Sequence, residues 1–253
     1  MSGNEDSGEL NWTEDYRVRF QHLDHLGKAK LTSMFELMQE TAWRHAEELG
    51  FGYFDLLEEN LLIALAKQHV KLISRPRYGD TISVRTTLAG TSRIFFYRNF
   101  RVYGGNSELI LKANTIWTCL DVKSRRPQRL TKVTGKFGLP RIGEPSRSTD
   151  VKIKLPQSPS RKYRRTVRHS DLDVHGHVNN NKYVDWILDG MSLDFLSSHK
   201  LQKFEIEYRS ELSLGQSLCV KTYQEGMTFF HGIIPEDGEQ VLARAKSKWS
   251  PGS

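Results

Sequence analysis

A dense group of ionisable and amide side chains lies at residues 169–183, which read His-Ser-Asp-Leu-Asp-Val-His-Gly-His-Val-Asn-Asn-Asn-Lys-Tyr. The apolar residues Val184, Leu188, Met191 and Phe195 then recur at helical spacing, so the polar cluster is expected to lead into the N-terminus of a helix. Free backbone N–H groups and the helix dipole at such an end favour developing negative charge. The pattern therefore predicts an oxyanion site beside candidate acids and bases.

Two simpler interpretations of this segment stay open on the residues alone. Asn179 or Asn180 is a suitable helix N-cap, with Asn180 the expected one, and the histidines would then decorate a turn. The spacing Asp173-x-His175-x-His177 also resembles a run of metal ligands. No further Cys or His spacing supports a metal site, so a catalytic cluster without metal is the favoured interpretation.

Composition narrows the class of protein. The 253 residues are 38% hydrophobic and 26% charged, which is typical of a globular chain with one large or two small domains. No run approaches the ~20 apolar residues of a membrane helix, and the polar, acidic start lacks the regions of a signal peptide. The only cysteines, Cys119 and Cys219, lie in strand-like runs, so we expect no disulfide framework and a cytoplasmic location.

The net charge of +7 is concentrated in one part of the chain. Residues 123–168 hold 15 Lys or Arg against only Glu144 and Asp150, and they include five of the eight prolines. This composition predicts an extended basic connector, at residues 137–160, that attracts an acidic macromolecule. A solvated linker whose charge only aids solubility is the alternative.

The chain on either side of this connector follows the same order twice, which indicates a duplication. In each half a polar loop precedes a long helix, and strands with matching glycines and aromatic residues follow. The first helix is expected to open with the capping box Ser33-x-x-Glu36. The matched segments are Asp24–Gly27 with Asp173–Gly176, Gly79–Thr86 with Gly215–Thr222, Phe95-Phe96 with Phe229-Phe230, and Leu109–Ala113 before Trp117 with Val241–Ala245 before Trp249.

We therefore expect an α+β fold of two lobes, each an antiparallel sheet wrapped around a long helix, at residues 12–136 and 161–249. The first lobe has an extra segment at residues 52–62. It also has Lys28 where the second has His177, and Arg75 where the second has Glu211. Because a cation replaces each candidate acid–base group, the first lobe is expected to be non-catalytic.

The residues at this point resemble the acyl-acyl-carrier-protein (acyl-ACP) thioesterases, tandem hotdog proteins of plants and bacteria. The family motif Asp-x-Asn-x-His-Val-Asn-Asn is similar to Asp173–Asn180, and Glu-Tyr-Arg-x-Glu matches Glu207–Glu211. First-lobe stretches such as Arg75–Asp80 and Tyr97-Arg-Asn-Phe100 are also similar. One departure is His175, where the family has Asn, and the frequent Cys after the second Glu is Leu212 here, which favours attack by water.

The resemblance implies hydrolysis of a fatty acyl thioester on an acidic acyl carrier protein, without cofactor, metal, nucleic acid or membrane span. It implies a catalytic set of Glu211, Asp173, His175 and His177. Glu211 is the expected general base, Asp173 holds neighbouring groups or shares that task, and His175 stands in for the family Asn. His177 is expected to position water or, with Asn179 and helix N–H groups, to stabilise the oxyanion. Further expected residues line the acyl site or dock the carrier. The acyl-site set is Met34, Phe35, Met38, Phe95 and Phe96, and the docking set is Arg161, Lys162, Arg164 and Arg165.

Other classes remain open at this stage. A hotdog acyl-CoA thioesterase or hydratase is the enzymatic alternative, and a nucleic-acid binder that uses the basic connector is the non-enzymatic one. The chain contains no nucleic-acid recognition motif. Acyl chain length and oligomeric state, including a homodimer, are left open by the sequence.

Overall fold

The computed structural model describes residues 10–136 and 152–252. Among these residues the chain forms two compact units. The N-terminal unit contains residues 10–66 and 73–136, and the C-terminal unit contains residues 67–72 and 152–252. Each unit consists of antiparallel strands and helices, so the expected α+β plan of two lobes is confirmed, although only the N-terminal unit has a long helix.

In the N-terminal unit the strands follow the spatial order β1-β3-β4-β5-β2. The last six residues of β2 belong to the C-terminal unit. The elements are β1 Asn11–Arg17, α1 Leu31–Glu48, α2 Tyr53–Glu58, β2 Leu61–Leu72, β3 Thr81–Thr91, β4 Phe95–Tyr103, β5 Leu109–Asp121 and α3 Leu130–Lys136.

Helix α1 buries the apolar face that its spacing predicts. Leu31, Phe35, Met38, Ala42 and Ala46 are all buried. The predicted start at Ser33 is wrong, because the helix begins at Leu31 after an extended Lys30. The Lys30 N–H donates to the carbonyl of His22 at 2.8 Å, so contact with the preceding loop, and not a capping box, fixes the start of the helix.

In the C-terminal unit residues 67–71 of β2 pair with β7, and the strands then follow the order β7-β10-β9-β8-β6. The elements are β6 Arg161–Thr166, α4 Asn180–Asp189, α5 Leu193–Ser198, β7 His199–Tyr208, β8 Ser217–Glu225, β9 Thr228–Pro235 and β10 Ala243–Pro251.

The helix predicted through Phe195 is two helices, which corrects the sequence interpretation. Helix α4 ends at Asp189 with Gly190 as C-cap, and α5 begins at Leu193. The apolar period continues across the break because both helices pack on the same core. Val184 is fully buried on α4, and Phe195 on α5 packs edge-on against Phe229, with ring centroids 4.9 Å apart.

The basic connector expected at residues 137–160 is described only in part, because residues 137–151 lie outside the described residues. The remainder packs on the C-terminal unit. The Ile153 N–H donates to Glu207 Oε1 at 3.3 Å, and Arg244 Nη1 donates to the Ile153 carbonyl at 3.1 Å. Leu155 lies so close to Gly232 that a Cβ at this glycine would be 2.7 Å from Leu155 Cδ1. Residues 152–160 are thus part of the folded unit.

Both cysteines are free, buried and located in strands, Cys119 in β5 and Cys219 in β8. Burial raises the pKa of the Cys119 thiol to about 11, which keeps it protonated and unreactive. No helix within the described residues is long and apolar enough to cross a membrane.

Candidate active site

The loop that carries the histidines is folded around the carboxylate of Asp173. Asp173 Oδ1 accepts hydrogen bonds from the backbone N–H of His175 at 2.9 Å and of His177 at 3.3 Å. The Asp173 N–H donates to the His177 carbonyl at 2.8 Å, and Gly176 turns the chain with a φ of 73°. Such a positive φ suits glycine. The structure therefore places Asp173 as the group that shapes the loop presenting both imidazoles.

Asn179, and not the expected Asn180, is the N-cap of α4. Its Oδ1 accepts from the Asn181 N–H at 2.9 Å, and its carbonyl accepts from the Lys182 N–H. The Asn179 side-chain oxygen is thus engaged in capping. From His177 to Lys182, the backbone N–H of Asn180 is the one amide without an acceptor among the described residues. This N–H lies at the positive end of the helix and is available to a ligand.

Glu211 approaches the loop from the segment that follows β7. The backbone N–H groups of Arg209 and Ser210 both donate to the Leu242 carbonyl, at 2.9 and 3.2 Å, and this fixes the segment. Glu211 Oε2 then lies 3.6 Å from His177 Nε2. The two side chains are 39% and 29% exposed, so water reaches both groups. The structure thus brings together the carboxylate and the imidazole that the sequence proposes for water activation.

Two tyrosines, Tyr183 buried and Tyr208 partly buried, connect the two sides of the site, and sequence reasoning missed them. The Tyr183 hydroxyl, on α4, donates to the Ser210 carbonyl at 3.3 Å, and the Tyr208 hydroxyl, on β7, donates to the Asn180 carbonyl at 3.2 Å. Their rings meet edge-on with centroids 5.5 Å apart. Both residues lie in the segments quoted above, but the spacing in those segments does not indicate these two hydrogen bonds.

Both phenols remain protonated at neutral pH. Burial raises the pKa of Tyr183, and the charges of Glu211 and Asp173 raise it further. Burial also raises the pKa of Tyr208. Each hydroxyl therefore keeps the proton that it donates to a backbone carbonyl. These two hydrogen bonds fix the start of α4 relative to the segment that carries Glu211.

The N-terminal unit repeats the loop and replaces the catalytic groups. Asp24 Oδ1 accepts from the N–H groups of Leu26 at 2.9 Å and Lys28 at 3.1 Å, as Asp173 does in the other unit. Arg75 then donates to Asp24 Oδ2 at 2.5 Å. Burial acts to raise the pKa of Asp24, but Arg75 and the two loop amides together lower it. At the positions equivalent to His177 and Glu211 the N-terminal unit therefore has two cations, and Arg75 is paired with Asp24.

Backbone pairing confirms which residues are equivalent in the two loops. The Ala29 N–H donates to the Pro76 carbonyl at 2.8 Å, and the Val178 N–H donates to the Leu212 carbonyl at 2.9 Å. Lys28 therefore corresponds to His177, and Arg75 corresponds to Glu211, because each directly precedes a member of these bonded pairs. The internal alignment read from the sequence is correct at this site.

The strand register corrects that alignment in one place. Arg98 on β4 is opposite Thr115 on β5, and Phe229 on β9 is opposite Ser247 on β10. The two hydroxyl residues are equivalent, because a tryptophan two positions further along each strand donates its indole N–H to them, at 2.7 and 2.9 Å. Arg98 therefore corresponds to Phe229, and the pairing of Phe95-Phe96 with Phe229-Phe230 read from the sequence is wrong by three residues.

Of the five residues expected at the acyl site, Phe96 lines an apolar pocket and the other four do not. Phe96 lines a small apolar pocket within the N-terminal unit, together with the aromatic residues Trp43, Phe51 and Trp117. Phe95, its neighbour in β4, is only half-buried. Met34, Phe35 and Met38 are fully buried on α1 and are not among the residues that line this pocket.

The four basic residues expected to dock a carrier lie on β6 and differ in environment. Arg161, Lys162 and Arg164 are exposed, and Arg164 Nε lies 3.1 Å from Glu236 Oε1. The fourth, Arg165, is held inside the unit. Its Nη2 lies 3.2 Å from Asp171 Oδ1, and its guanidinium carbon lies 5.3 Å from the centre of the Trp186 ring. Asp171 is 1% exposed, so Arg165 neutralises a buried carboxylate.

A metal centre has no support in the geometry. Asp173 Oδ1 is occupied by two backbone amides, and the described residues contain no group of three or more His, Cys, Asp and Glu side chains placed to hold a metal ion. The arrangement is instead suited to general-base chemistry on water.

Comparison with known proteins gives matches over both units. Residues 9–134 match the acyl-ACP thioesterase N-terminal domain, and residues 155–251 match the acyl-ACP thioesterase C-terminal domain. A palmitoyl-acyl carrier protein thioesterase of Cuphea hookeriana is 26% identical over 96% of this chain and 63% of its own length. A dodecanoyl-[acyl-carrier-protein] hydrolase of Cinnamomum camphora is 29% identical over 89% of this chain and 65% of its own length. The chain thus spans less than two thirds of the length of these relatives, both of which are named as chloroplastic.

Solved structures show the same fold. An acyl-ACP thioesterase of Bacteroides thetaiotaomicron superposes with a TM-score of 0.86 and 24% identity over 98% of this chain and 100% of the other. The 12:0-ACP thioesterase of Umbellularia californica gives 0.85 and 22% over 96% and 98%. These superpositions confirm the tandem hotdog fold that the sequence predicts.

Proposed function

Because the chain belongs to the acyl-ACP thioesterase family, we propose that it hydrolyses fatty acyl-ACP thioesters to a free fatty acid and the carrier thiol. The observation that carries the proposal is the approach of Glu211 Oε2 to His177 Nε2, at 3.6 Å, beside the start of α4. The equivalent loop of the N-terminal unit has Lys28 and a closed Arg75–Asp24 pair. A single acid–base set therefore serves the reaction among the described residues.

In the proposed reaction Glu211 accepts a proton from a water molecule while the water oxygen attacks the thioester carbonyl carbon. The His177 imidazole, held within reach of the same carboxylate, orients that water. Collapse of the tetrahedral intermediate breaks the C–S bond, and the thiolate receives the proton that Glu211 took from water. The products are one carboxylic acid and one carrier thiol for each water consumed.

The N-terminus of α4 stabilises the negative charge on the tetrahedral intermediate. The Asn180 N–H is the donor we assign to the oxyanion, and one such donor can lower the barrier by ~3 kcal/mol. Asp173 acts by shaping the loop that holds His177. His175 keeps a supporting role, and the Asn179 side chain acts chiefly as the helix cap that aims the Asn180 N–H.

The N-terminal unit is proposed to bind the acyl chain without taking part in catalysis. Its apolar pocket, with Phe96 in the lining, supports this role. Burial of an alkyl chain there gains about 0.8 kcal/mol for each CH₂ removed from water. Met34, Phe35 and Met38 are buried on α1, where they stabilise the unit.

The partner is proposed to be an acidic acyl carrier protein that docks on the exposed cations of β6. Arg161, Lys162 and Arg164 support this assignment by charge and by exposure, although Arg164 also contacts the exposed Glu236, whereas Arg165 is paired with the buried Asp171. A cytoplasmic location also remains a proposal. It is supported by the two unpaired cysteines, which suit a reducing compartment.

The test is the stoichiometry of the products released from acyl-ACP by the purified protein. Fatty acid is measured by mass spectrometry and the carrier thiol by reaction with a chromogenic disulfide. We expect the acid and the thiol in equal amounts, both released with the same rate constant. Release of thiol without free acid would indicate acyl transfer to another acceptor, and release of neither would indicate a binding protein.

A further inference from the structure

A buried ion pair lies directly in front of α4. Asp171 is 1% exposed, and its Oδ1 lies 3.2 Å from Nη2 of Arg165 on β6. Its Oδ2 accepts the backbone N–H of Arg168 at 2.8 Å, so both carboxylate oxygens have a donor. The Asp171 carbonyl in turn accepts the N–H of Asn179, the N-cap of α4, at 2.9 Å. Asp171 therefore connects the ion pair to the start of the helix that carries the candidate oxyanion donor.

Arg165 also contacts α4 itself. Its Nη1 lies 3.6 Å from Oδ2 of Asp189, the last residue of the helix. Its guanidinium carbon lies 5.3 Å from the centre of the ring of Trp186, which is fully buried in the last turn. One guanidinium thus contacts both the turn that precedes α4 and the turn that ends it.

The N-terminal unit shows which part of this arrangement the fold requires. Val18 and Val167 are equivalent, because each accepts the N–H of the glycine before β3 or β8 and donates to the carbonyl of the residue after that glycine. By this register His22 corresponds to Asp171. The backbone bond to the helix is also the same, since the Lys30 N–H donates to the His22 carbonyl at 2.8 Å.

The N-terminal unit makes this backbone bond with neutral side chains. His22 Nδ1 accepts the N–H of Arg19 at 3.2 Å, in the place of the carboxylate. Burial and two neighbouring cations lower the pKa of His22, so its ring is neutral at neutral pH. At the position of Arg165 this unit has Tyr16, whose hydroxyl lies 3.1 Å from Thr41 Oγ1 on α1. The fold thus forms the helix start without an ion pair at these positions.

The ion pair therefore belongs to the unit that keeps the acid–base set. A buried ion pair is weak evidence for stability, because neutral packing of the same volume is often as stable. Its best-attested use is to fix one arrangement of the groups around it. In the C-terminal unit the group that it fixes is the start of α4.

We propose that Asp171 and Arg165 are positioning residues for the reaction, which hold the start of α4 so that the Asn180 N–H is directed at the oxyanion. This rests on the proposed function, which assigns that N–H to the tetrahedral intermediate. Such a donor acts on the rate only within about 2.7–3.1 Å of the oxyanion, so a small displacement of the helix start weakens it. Because the oxyanion forms only in the transition state, the loss appears in kcat and not in KM.

The first test is Asp171→Asn. The amide has the same shape, but it presents its NH₂ group either to Arg165 or to the Arg168 N–H, so one donor loses its acceptor. We expect kcat on acyl-ACP to fall at least about tenfold, while KM stays within about twofold. The double variant Asp171→Asn/Arg165→Met buries no unpaired charge and should show a similar loss, because the two residues act through one path.

Two controls separate positioning from stability. Thr222→Val removes a hydroxyl that lies 3.1 Å from Nδ1 of the buried His231 in the same unit, so it should lower the thermal midpoint and leave kcat unchanged below that midpoint. His22→Ala, at the equivalent position of the N-terminal unit, should also leave kcat unchanged. Native kcat in a folded Asp171→Asn protein, or a loss of kcat no larger than that in Thr222→Val, would overturn the proposal.

Amide hydrogen exchange, followed by NMR, measures the helix start without reference to activity. The Asn179 N–H, which bonds to the Asp171 carbonyl, should exchange at least about tenfold faster in Asp171→Asn than in the native protein. Faster exchange in a protein whose native form hydrolyses no acyl-ACP would contradict only the proposed function. Hydrolysis by the native protein, with unchanged exchange in the variant, would contradict only the positioning role. If Asp171→Asn does not fold, the same measurements on the double variant decide.

Discussion

Replacement of Glu211 by Gln separates chemistry from stability more sharply than any other single change in the site. Gln has the same shape but cannot accept the proton of water, and a general base contributes about a hundredfold or more to a rate. We therefore expect kcat on acyl-ACP to fall at least about a hundredfold, which is about 2.7 kcal/mol of barrier. Glu211 and His177 are 39% and 29% exposed, so solvent screens their interaction, and the change in folding stability should stay below about 1 kcal/mol.

The assay compares kcat, far-ultraviolet circular dichroism and the midpoint of thermal unfolding across matched variants. His177→Ala should lose turnover to a similar extent. Lys28→Ala, at the equivalent position of the N-terminal loop, and Glu225→Gln, an exposed carboxylate of the C-terminal unit, should remain close to the native protein. Near-normal turnover in a folded Glu211→Gln protein would refute the assignment of the base.

The remaining predictions concern the loop and strand β6. His175→Asn, which restores the family residue, should keep kcat/KM on acyl-ACP close to the native value, because either side chain can donate one hydrogen bond; loss of activity in a folded variant would contradict this. Charge reversal at Arg161, Lys162 and Arg164 should raise KM for acyl-ACP and spare a small thioester, and equal losses on both substrates would argue against docking. Arg165→Ala leaves its buried carboxylate partner unpaired at a cost of about 3 kcal/mol or more, so it should lower the unfolding midpoint, with Lys162→Ala as the exposed control.

The equivalence of the two loops could be predicted because of the duplication, whereas the joint role of His177 and Glu211 was implied by the family resemblance. Each lobe has a polar loop before a helix and a second segment that bonds to that loop, and glycines mark both in the sequence. When the two halves of the sequence are aligned, Lys28 is opposite His177 and Arg75 is opposite Glu211. The sequence alone therefore shows that cations replace the acid–base groups in the first lobe.

Helix boundaries were less predictable because distant contacts decide them. Ser33 has the spacing of a capping box, but the bond from the Lys30 N–H to the His22 carbonyl starts the helix two residues earlier. Beyond Val184 the apolar period continues through Gly190, since α4 and α5 bury residues on one core. The apolar period shows which residues are buried, and it continues across the break between α4 and α5.

The tyrosine pair and the buried Arg98 show what a linear sequence conceals. The Tyr183 and Tyr208 hydroxyls reach carbonyls 27 and 28 residues away, and no local spacing encodes such bonds. Arg98 lies between Phe96 and Phe100 at the strand period of two, so its inward direction could have been predicted. The apolar pocket that it lines could not have been predicted, because α1 and four strands, β2 to β5, contribute to its lining.

The central claim is that this chain hydrolyses acyl groups held by an acyl carrier protein. The most direct measurement is kcat/KM on acyl-ACP and acyl-CoA of the same chain length, in parallel, over several chain lengths and at low and high salt. We expect acyl-ACP to be preferred at low salt, with the preference reduced at high salt because screening weakens the attraction between β6 and an acidic carrier. Equal or faster hydrolysis of acyl-CoA at every chain length would contradict the carrier assignment, and no hydrolysis of either substrate would contradict the account as a whole.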